Sequence, residues 1–299
     1  MKIGRALTRS EQPVLVMEMA HRWVDLSKAY ADYRLEAQGK SGSPINDMLA
    51  LLKAGPFNQS VYQQLSDFIH HQRSLEDYAL DHEPHLILPY RPGKIIGIGR
   101  NYREHAAEMN HDVPEEPIVF GKAVSACIGN GEPVRIKPWY DRVDHEGEIG
   151  VVIGKPACNV RAENARAHIA GYTLLNDVTA RAMQKKSAAA GKPWFLAKSL
   201  DTFCPLGPCI TLAEALPWPL EVDLSLRVNH ELRQQGNTRD MLFDVVTLIA
   251  YVSKNITLET GDIIATGTPE GVGPIYPGDV MEVHCPAIGT LHNPVESFT

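Results

Sequence analysis

The sequence predicts a strand-rich α/β (α+β) fold, and three observations carry that prediction. The chain has 299 residues with 44% apolar side chains, enough to bury a substantial core in one large or two smaller domains. From Lys94 onward, short apolar runs recur between glycine and proline turn signals. Helical segments fall between these runs irregularly, which disfavours a doubly wound sheet.

Residues 1–90 differ in texture from the rest. "INDMLALLKAG" and "NQSVYQQLSDFIHHQR" space their apolar residues as helices do, with Gly55 suited to cap the end of the first and Asn58 the start of the second. They predict a small helical N-terminal domain without an assigned role, preceded by a few strands. "ILPYRPGK" supplies two prolines and a glycine as a linker into a second domain over 91–299. Strands are expected at "KIIGIG", "PIVFGK", "EIGVVIG", "LEVDLSLRVN", "DIIATGTP" and "DVMEVHC". Helices are expected at "NYREHAAEMN", "RAENARAHIAGY", "VTARAMQKKSAAAG" and "RDMLFDVVTLIAYVSKN". There is no internal repeat or low-complexity segment.

Composition narrows the partners. A formal charge of -7 and a pI near 5.9, with lysine and arginine scattered, give no footprint for nucleic acid or an anionic membrane. No stretch is long and apolar enough for a membrane span, and the N-terminus lacks the apolar region of a secretory signal, so the expected location is the cytoplasm. Cys127, Cys158, Cys204, Cys209 and Cys285 form an odd set without a CxxC pair, so they are expected to be reduced and mostly buried.

The chemistry concentrates around "DRVDHEGEIGVVIG". In a strand, Glu146 and Glu148 share one face, opposite Ile149, Val151 and Ile153. Partly desolvated, the two would repel each other unless a cation lay between them; on a wet face they would simply be solvated. Asp177 ends the apolar segment of "GYTLLNDVTARAMQ", where it fits either a third ligand or a helix N-cap. Three carboxylates without paired cysteine or histidine favour a hard ion, Mg²⁺ or Mn²⁺, over zinc.

Other side chains could complete a site. His105 and Glu108, three apart, share a helix face on which a carboxylate can orient an imidazole and raise its basicity; an exposed surface pair has the same spacing. Lys198 and Lys122 lie in apolar surroundings, from which they either snorkel to water or neutralise an anionic substrate. "ATGTPEGVGP" offers hydroxyls and backbone N–H groups to an anion, as an ordinary turn would. The dinucleotide fingerprint, phosphate loop, zinc helix and serine elbow are all absent.

Taken in order, "GIGRNYREHAAEM", "DHEGEIGVVIG", "GYTLLNDVTARAMQ", "KPWFLAKSLDTFCPLGP" and "ATGTPEGVGP" closely resemble the fumarylacetoacetate hydrolase superfamily, over about residues 93 to 298. The likeness is strongest to its acylpyruvate hydrolase and oxaloacetate decarboxylase branch, with hydroxymuconate isomerases and decarboxylases sharing much of the pattern. The resemblance implies a mixed β-roll, usually a homodimer. It implies Glu146, Glu148 and Asp177 as ligands of Mg²⁺ or Mn²⁺, and Lys198 as a substrate-facing lysine. Gln184 and Thr268 would contact a carboxylate or oxo group, and Lys122 and Arg181 also match active-site positions. The implied activity acts on a pyruvoyl 2-oxo acid through an enolate, with His105 and Glu108 activating water for C–C hydrolysis. Decarboxylation or tautomerisation of oxaloacetate, or isomerisation of a hydroxymuconate-type diacid, are the alternatives; a non-catalytic dicarboxylate binder is an alternative of another class.

Overall fold

A computed structural model describes residues 1–36, 39, 45–54, 57–80, 82–103 and 113–298. His105, Glu108 and the proposed Gly55 cap lie outside the described residues. Two large sheets dominate. The first, of eleven strands, runs in the order 22–25, 13–19, 2–7, 204–212, 169–176, 147–153, 263–265, 95–99 and 118–122, with short strands 85–86 and 127–128 off that path. The second, of five, runs 231–237, 223–228, 280–285, 289–297 and 134–136. All six expected strands downstream of Lys94 are present, and their mixed directions match a strand-rich α+β fold.

The N-terminal segment is continuous with this framework. Strand Lys2–Leu7 pairs antiparallel with Cys204–Leu212, setting Gly4 opposite Cys209. Ile3, Leu15, Met17 and Leu65 share one buried cluster with Leu206, Ile210, Ile263 and Val152. The apolar face of the N-terminal helices is thus covered by the same sheet that carries the acidic motif. Asn58 caps helix Gln59–Gln72, its side chain accepting the Val61 N–H. Among the described residues, no helix is long and apolar enough to cross a membrane.

Two local expectations fared differently. The helix read from "RAENARAHIAGY" shortens to Ala162–Ala165 and one 3-10 turn, because Ile169–Asn176 is drawn into the sheet between two partners. Pairing on both edges outweighs a weak local helix preference. Helix Arg181–Ala189 starts four residues after Asp177, and its N-cap is Ala180, so Asp177 is free of capping duty.

Candidate active site

The acidic residues meet because of strand register. Gly147–Ile153 pairs antiparallel with Ile169–Asn176, placing Gly147 opposite Asn176 and so bringing Glu146 beside Asp177, whose N–H donates to the Glu146 carbonyl at 2.7 Å. Asn176 Oδ1 in turn accepts the Glu146 N–H at 2.9 Å. Both faces of the Gly147 strand are buried, so the wet-face reading fails: Glu146 is 4% exposed and Glu148 2%. Ligand atoms of Glu146, Glu148 and Asp177 all lie within 4.8 Å of one another.

Three buried cations surround this cluster. Lys198, the last residue of the short helix Phe195–Lys198, bridges Glu146 Oε2 at 2.6 Å and Asp177 Oδ2 at 2.5 Å. Its ammonium lies 5.0 Å from the centre of the Phe120 ring. Lys122, at the end of strand Ile118–Lys122, donates to Asp177 Oδ1 at 2.6 Å and to the Lys198 carbonyl. Arg181 opens its helix and holds Asp144 Oδ2 at 2.8 Å, Gln184 Oε1 at 2.6 Å and Glu146 Oε1. Neither lysine snorkels to water; both are buried inside the site.

Glu148 stands apart from these pairs. It accepts the Gly267 N–H at 2.8 Å and, among the described residues, forms no ion pair. Burial, then the negative charge of Asp177, pushes its carboxyl well above the ordinary range, with the Lys198 charge and then the Gly267 N–H opposing. For Lys198, burial works against the ammonium, but Asp177 and Glu146 outweigh it and the net shift is upward. Gly267 can present its N–H only because its φ is +95°, and a Cβ there would meet Asn101 Cβ at 2.8 Å.

The donor set therefore fits a hard divalent cation. Glu146, Glu148 and Asp177 crowd three buried carboxylates together, and among the described residues Glu148 has no ion pair of its own. All three candidate ligands offer oxygen, and no cysteine or histidine joins the cluster among the described residues.

The sequence-predicted residues Lys122, Glu146, Glu148, Asp177, Arg181, Gln184 and Lys198 are thus brought together. Thr268 joins through the turn after strand Ile263–Ala265: its hydroxyl donates to the Gly147 carbonyl at 2.8 Å and accepts from Gln234. Sequence reasoning missed Asp144, His145 and Gln234. Asp144 continues the alternation of Glu146 and Glu148, a signal that could have found it. His145 and Gln234 carry no local signal. Their contact, Nδ1 to Oε1 at 3.1 Å, spans 89 residues, and burial pushes the His145 imidazolium below its ordinary range.

With the geometry in hand, likeness to known proteins can be weighed. Residues 94–296 match the fumarylacetoacetate (FAA) hydrolase C-terminal family. Over 221 residues the chain is 42% identical to the oxaloacetate tautomerase YisK of Bacillus subtilis, covering 71% of this chain and 72% of that protein. A fumarylacetoacetate hydrolase from Exiguobacterium antarcticum superposes with a TM-score of 0.80 at 33% identity, covering 100% of each chain. A 5-carboxymethyl-2-hydroxymuconate delta-isomerase from Mycobacterium smegmatis does so at 0.74 and 32%, again covering 100% of each. The matched span contains the whole acidic cluster with its lysines and arginine, and the chain belongs to the fumarylacetoacetate hydrolase family.

Proposed function

We propose that the protein is a divalent-metal-dependent enzyme that enolises a pyruvoyl-type 2-oxo acid, with oxaloacetate tautomerisation as its first assignment. One observation carries the reading: three buried carboxylates bring ligand atoms within 4.8 Å of one another, beside a lysine fixed as an ammonium. A divalent ion at Glu146, Glu148 and Asp177, Mg²⁺ or Mn²⁺, would supply Lewis acidity to the 2-oxo group.

The chain's own residues do the rest. Lys198 Nζ presents fixed positive charge where negative charge develops on the substrate oxygen, in a site shielded from water. Lys122 holds Asp177 and the Lys198 carbonyl, so that ammonium is anchored through one of its carboxylate partners and through its own backbone. Arg181 fixes Glu146 from the far side and orients Gln184, which is suited to bind a substrate oxygen. In C–C hydrolysis of an acylpyruvate, the water-activating base would be His105 with Glu108.

The likeness to oxaloacetate tautomerase YisK supports placing tautomerisation ahead of hydrolysis. A second reading, isomerisation of a hydroxymuconate-type diacid, draws on the likeness to the delta-isomerase and uses the same enolising site. The deciding assay follows enol absorbance and pyruvate release from oxaloacetate, acetylpyruvate, fumarylpyruvate and a hydroxymuconate-type diacid, with Mg²⁺ and with EDTA. Metal-dependent loss of the oxaloacetate enol is expected. Equal rates in EDTA, or no turnover of any 2-oxo acid, would overturn the proposal.

A further inference from the structure

Gln234 occupies the seam between two walls of the candidate site. It lies in strand Glu231–Asn237, where most neighbours are exposed, yet it is itself 1% exposed. Its Oε1 accepts the Gly147 N–H at 3.0 Å and contacts His145 Nδ1 at 3.1 Å. Its Nε2 donates to Thr268 Oγ1 at 2.7 Å and to the Pro269 carbonyl at 2.8 Å. A primary amide has two hydrogens and one oxygen with two lone pairs, and here all are engaged.

The partners fall into two groups. Gly147 and His145 flank Glu146, and Gly147 separates it from Glu148. Thr268 and Pro269 belong to the turn whose Gly267 N–H holds Glu148. One side chain from the second sheet therefore ties the acidic strand to the facing turn.

The chemistry of the partners fixes the amide's orientation. The Gly147 N–H can only donate and the Pro269 carbonyl can only accept, so a flipped amide would face two mismatches. His145 Nδ1 must then carry the hydrogen, leaving Nε2 with a bare lone pair. That Nε2 is buried and has no hydrogen-bond partner among the described residues, so nothing else dictates the tautomer.

We propose that Gln234 is a positioning residue that clamps the strand bearing Glu146 and Glu148 against the Thr268–Pro269 turn, setting the spacing between the metal ligands and the substrate-facing turn. The substrate part of this inference rests on the function proposed above; the clamp itself does not. A buried amide that served only stability would alter unfolding without changing metal affinity, substrate affinity or the His145 tautomer.

The variants Gln234→Leu and Gln234→Glu separate the two halves of the clamp. Leucine removes all four bonds, whereas glutamate keeps acceptor oxygen for Gly147 and His145 and loses the paired donors to Thr268 and Pro269. Three readouts are needed: the His145 tautomer from ¹⁵N-histidine NMR, Mn²⁺ affinity of the metal-free protein by electron paramagnetic resonance, and KM and kcat for oxaloacetate. In Gln234→Leu the single Nδ1–H form is expected to disappear and Mn²⁺ affinity to fall about 10–100-fold, as when a residue supporting metal ligands is lost. In Gln234→Glu, tautomer and Mn²⁺ affinity are expected to stay as in the parent protein while KM rises with kcat little changed.

Parental tautomer, Mn²⁺ affinity and KM in Gln234→Leu would overturn the clamp. If that variant does not fold, Gln234→Glu decides alone, and an unchanged KM overturns the inference. If the parent protein does not act on oxaloacetate, the substrate reading fails separately, and the tautomer and Mn²⁺ measurements still decide the clamp, with unchanged values in both variants counting against it.

Discussion

Glu148 shows how one residue can cost stability and serve function. Its carboxylate lies in the interior next to Asp177, with the nearby charge of Lys198 and one backbone N–H to offset burial. Glu148→Gln keeps an acceptor for Gly267 and removes the charge. The metal-free variant should therefore gain about 0.5–2 kcal/mol in urea unfolding, as relief of functional strain usually gives. The same variant should lose the stabilisation expected of Mg²⁺ on the parent protein if it binds at Glu146, Glu148 and Asp177, about 2.7 kcal/mol at a hundredfold excess over Kd. Parental Mg²⁺ stabilisation in the variant would remove Glu148 from the ligand set. Arg181 is the opposite case, because its buried guanidinium binds both Asp144 and Glu146, which Arg142 and Lys198 also hold. Arg181→Met should destabilise the fold by about 1–3 kcal/mol, since it strips hydrogen bonds from two buried carboxylates that then keep Arg142 and Lys198. A loss under 1 kcal/mol in the same titration would show that water or a rearranged lysine takes its place. The charge types were legible in the sequence. Their pairing was not, because Arg181 and Glu146 stand 35 residues apart and meet only after the strands align.

At the scale of elements, the legible and illegible parts divide by the range of the interaction. The apolar run Ile149–Ile153 announced its strand, and Asn58 its helix, because each signal is contained in a few adjacent residues. Asp177 was ambiguous for the same reason: a carboxylate between strand and helix reads as a cap until the register with Gly147 puts it beside Glu146. The turn at Gly267 reads as ordinary until its φ and the approach of Asn101 show why glycine is needed. The seam between strand Lys2–Leu7 and strand Cys204–Leu212 offers a test at this scale. Ile3 is fully buried against a cluster that includes Leu206 and Ile210. Ile3→Ala should cost about 2–5 kcal/mol and lower the midpoint of the entire unfolding transition, because the N-terminal strands share their core with the sheet. An early separate transition in far-UV circular dichroism, with the main one unmoved, would instead make residues 1–90 an independent folding unit.

For the whole molecule, the depth of burial has a consequence at alkaline pH. The sheets bury not only the acidic cluster but also neutral acids remote from it: Cys209 lies in the seam with the N-terminal strand, and Tyr90 and Tyr172 lie inside the fold. Burial pushes the Cys209 thiol up to about 12 and raises both tyrosine hydroxyls above their usual range. In each case the folded state keeps its proton longer than the unfolded chain, so unfolding releases protons and stability must fall as pH rises. The decline begins where an ordinary thiol ionises, near 9.0, and steepens as unfolded tyrosines ionise near 10.0. Each fully buried group contributes up to about 1.4 kcal/mol per pH unit within its own window. Cys209→Ser isolates one contribution, because a hydroxyl can still donate to the Ile288 carbonyl that Cys209 Sγ contacts at 3.3 Å but does not ionise in this range. Urea unfolding of the two proteins between pH 9 and 10 should show a shallower decline in the serine variant, while below pH 8 the two curves run parallel. Identical slopes throughout would mean that Cys209 reaches solvent in the folded state, and that the seam between the N-terminal strand and the catalytic sheet opens far more readily than its pairing suggests.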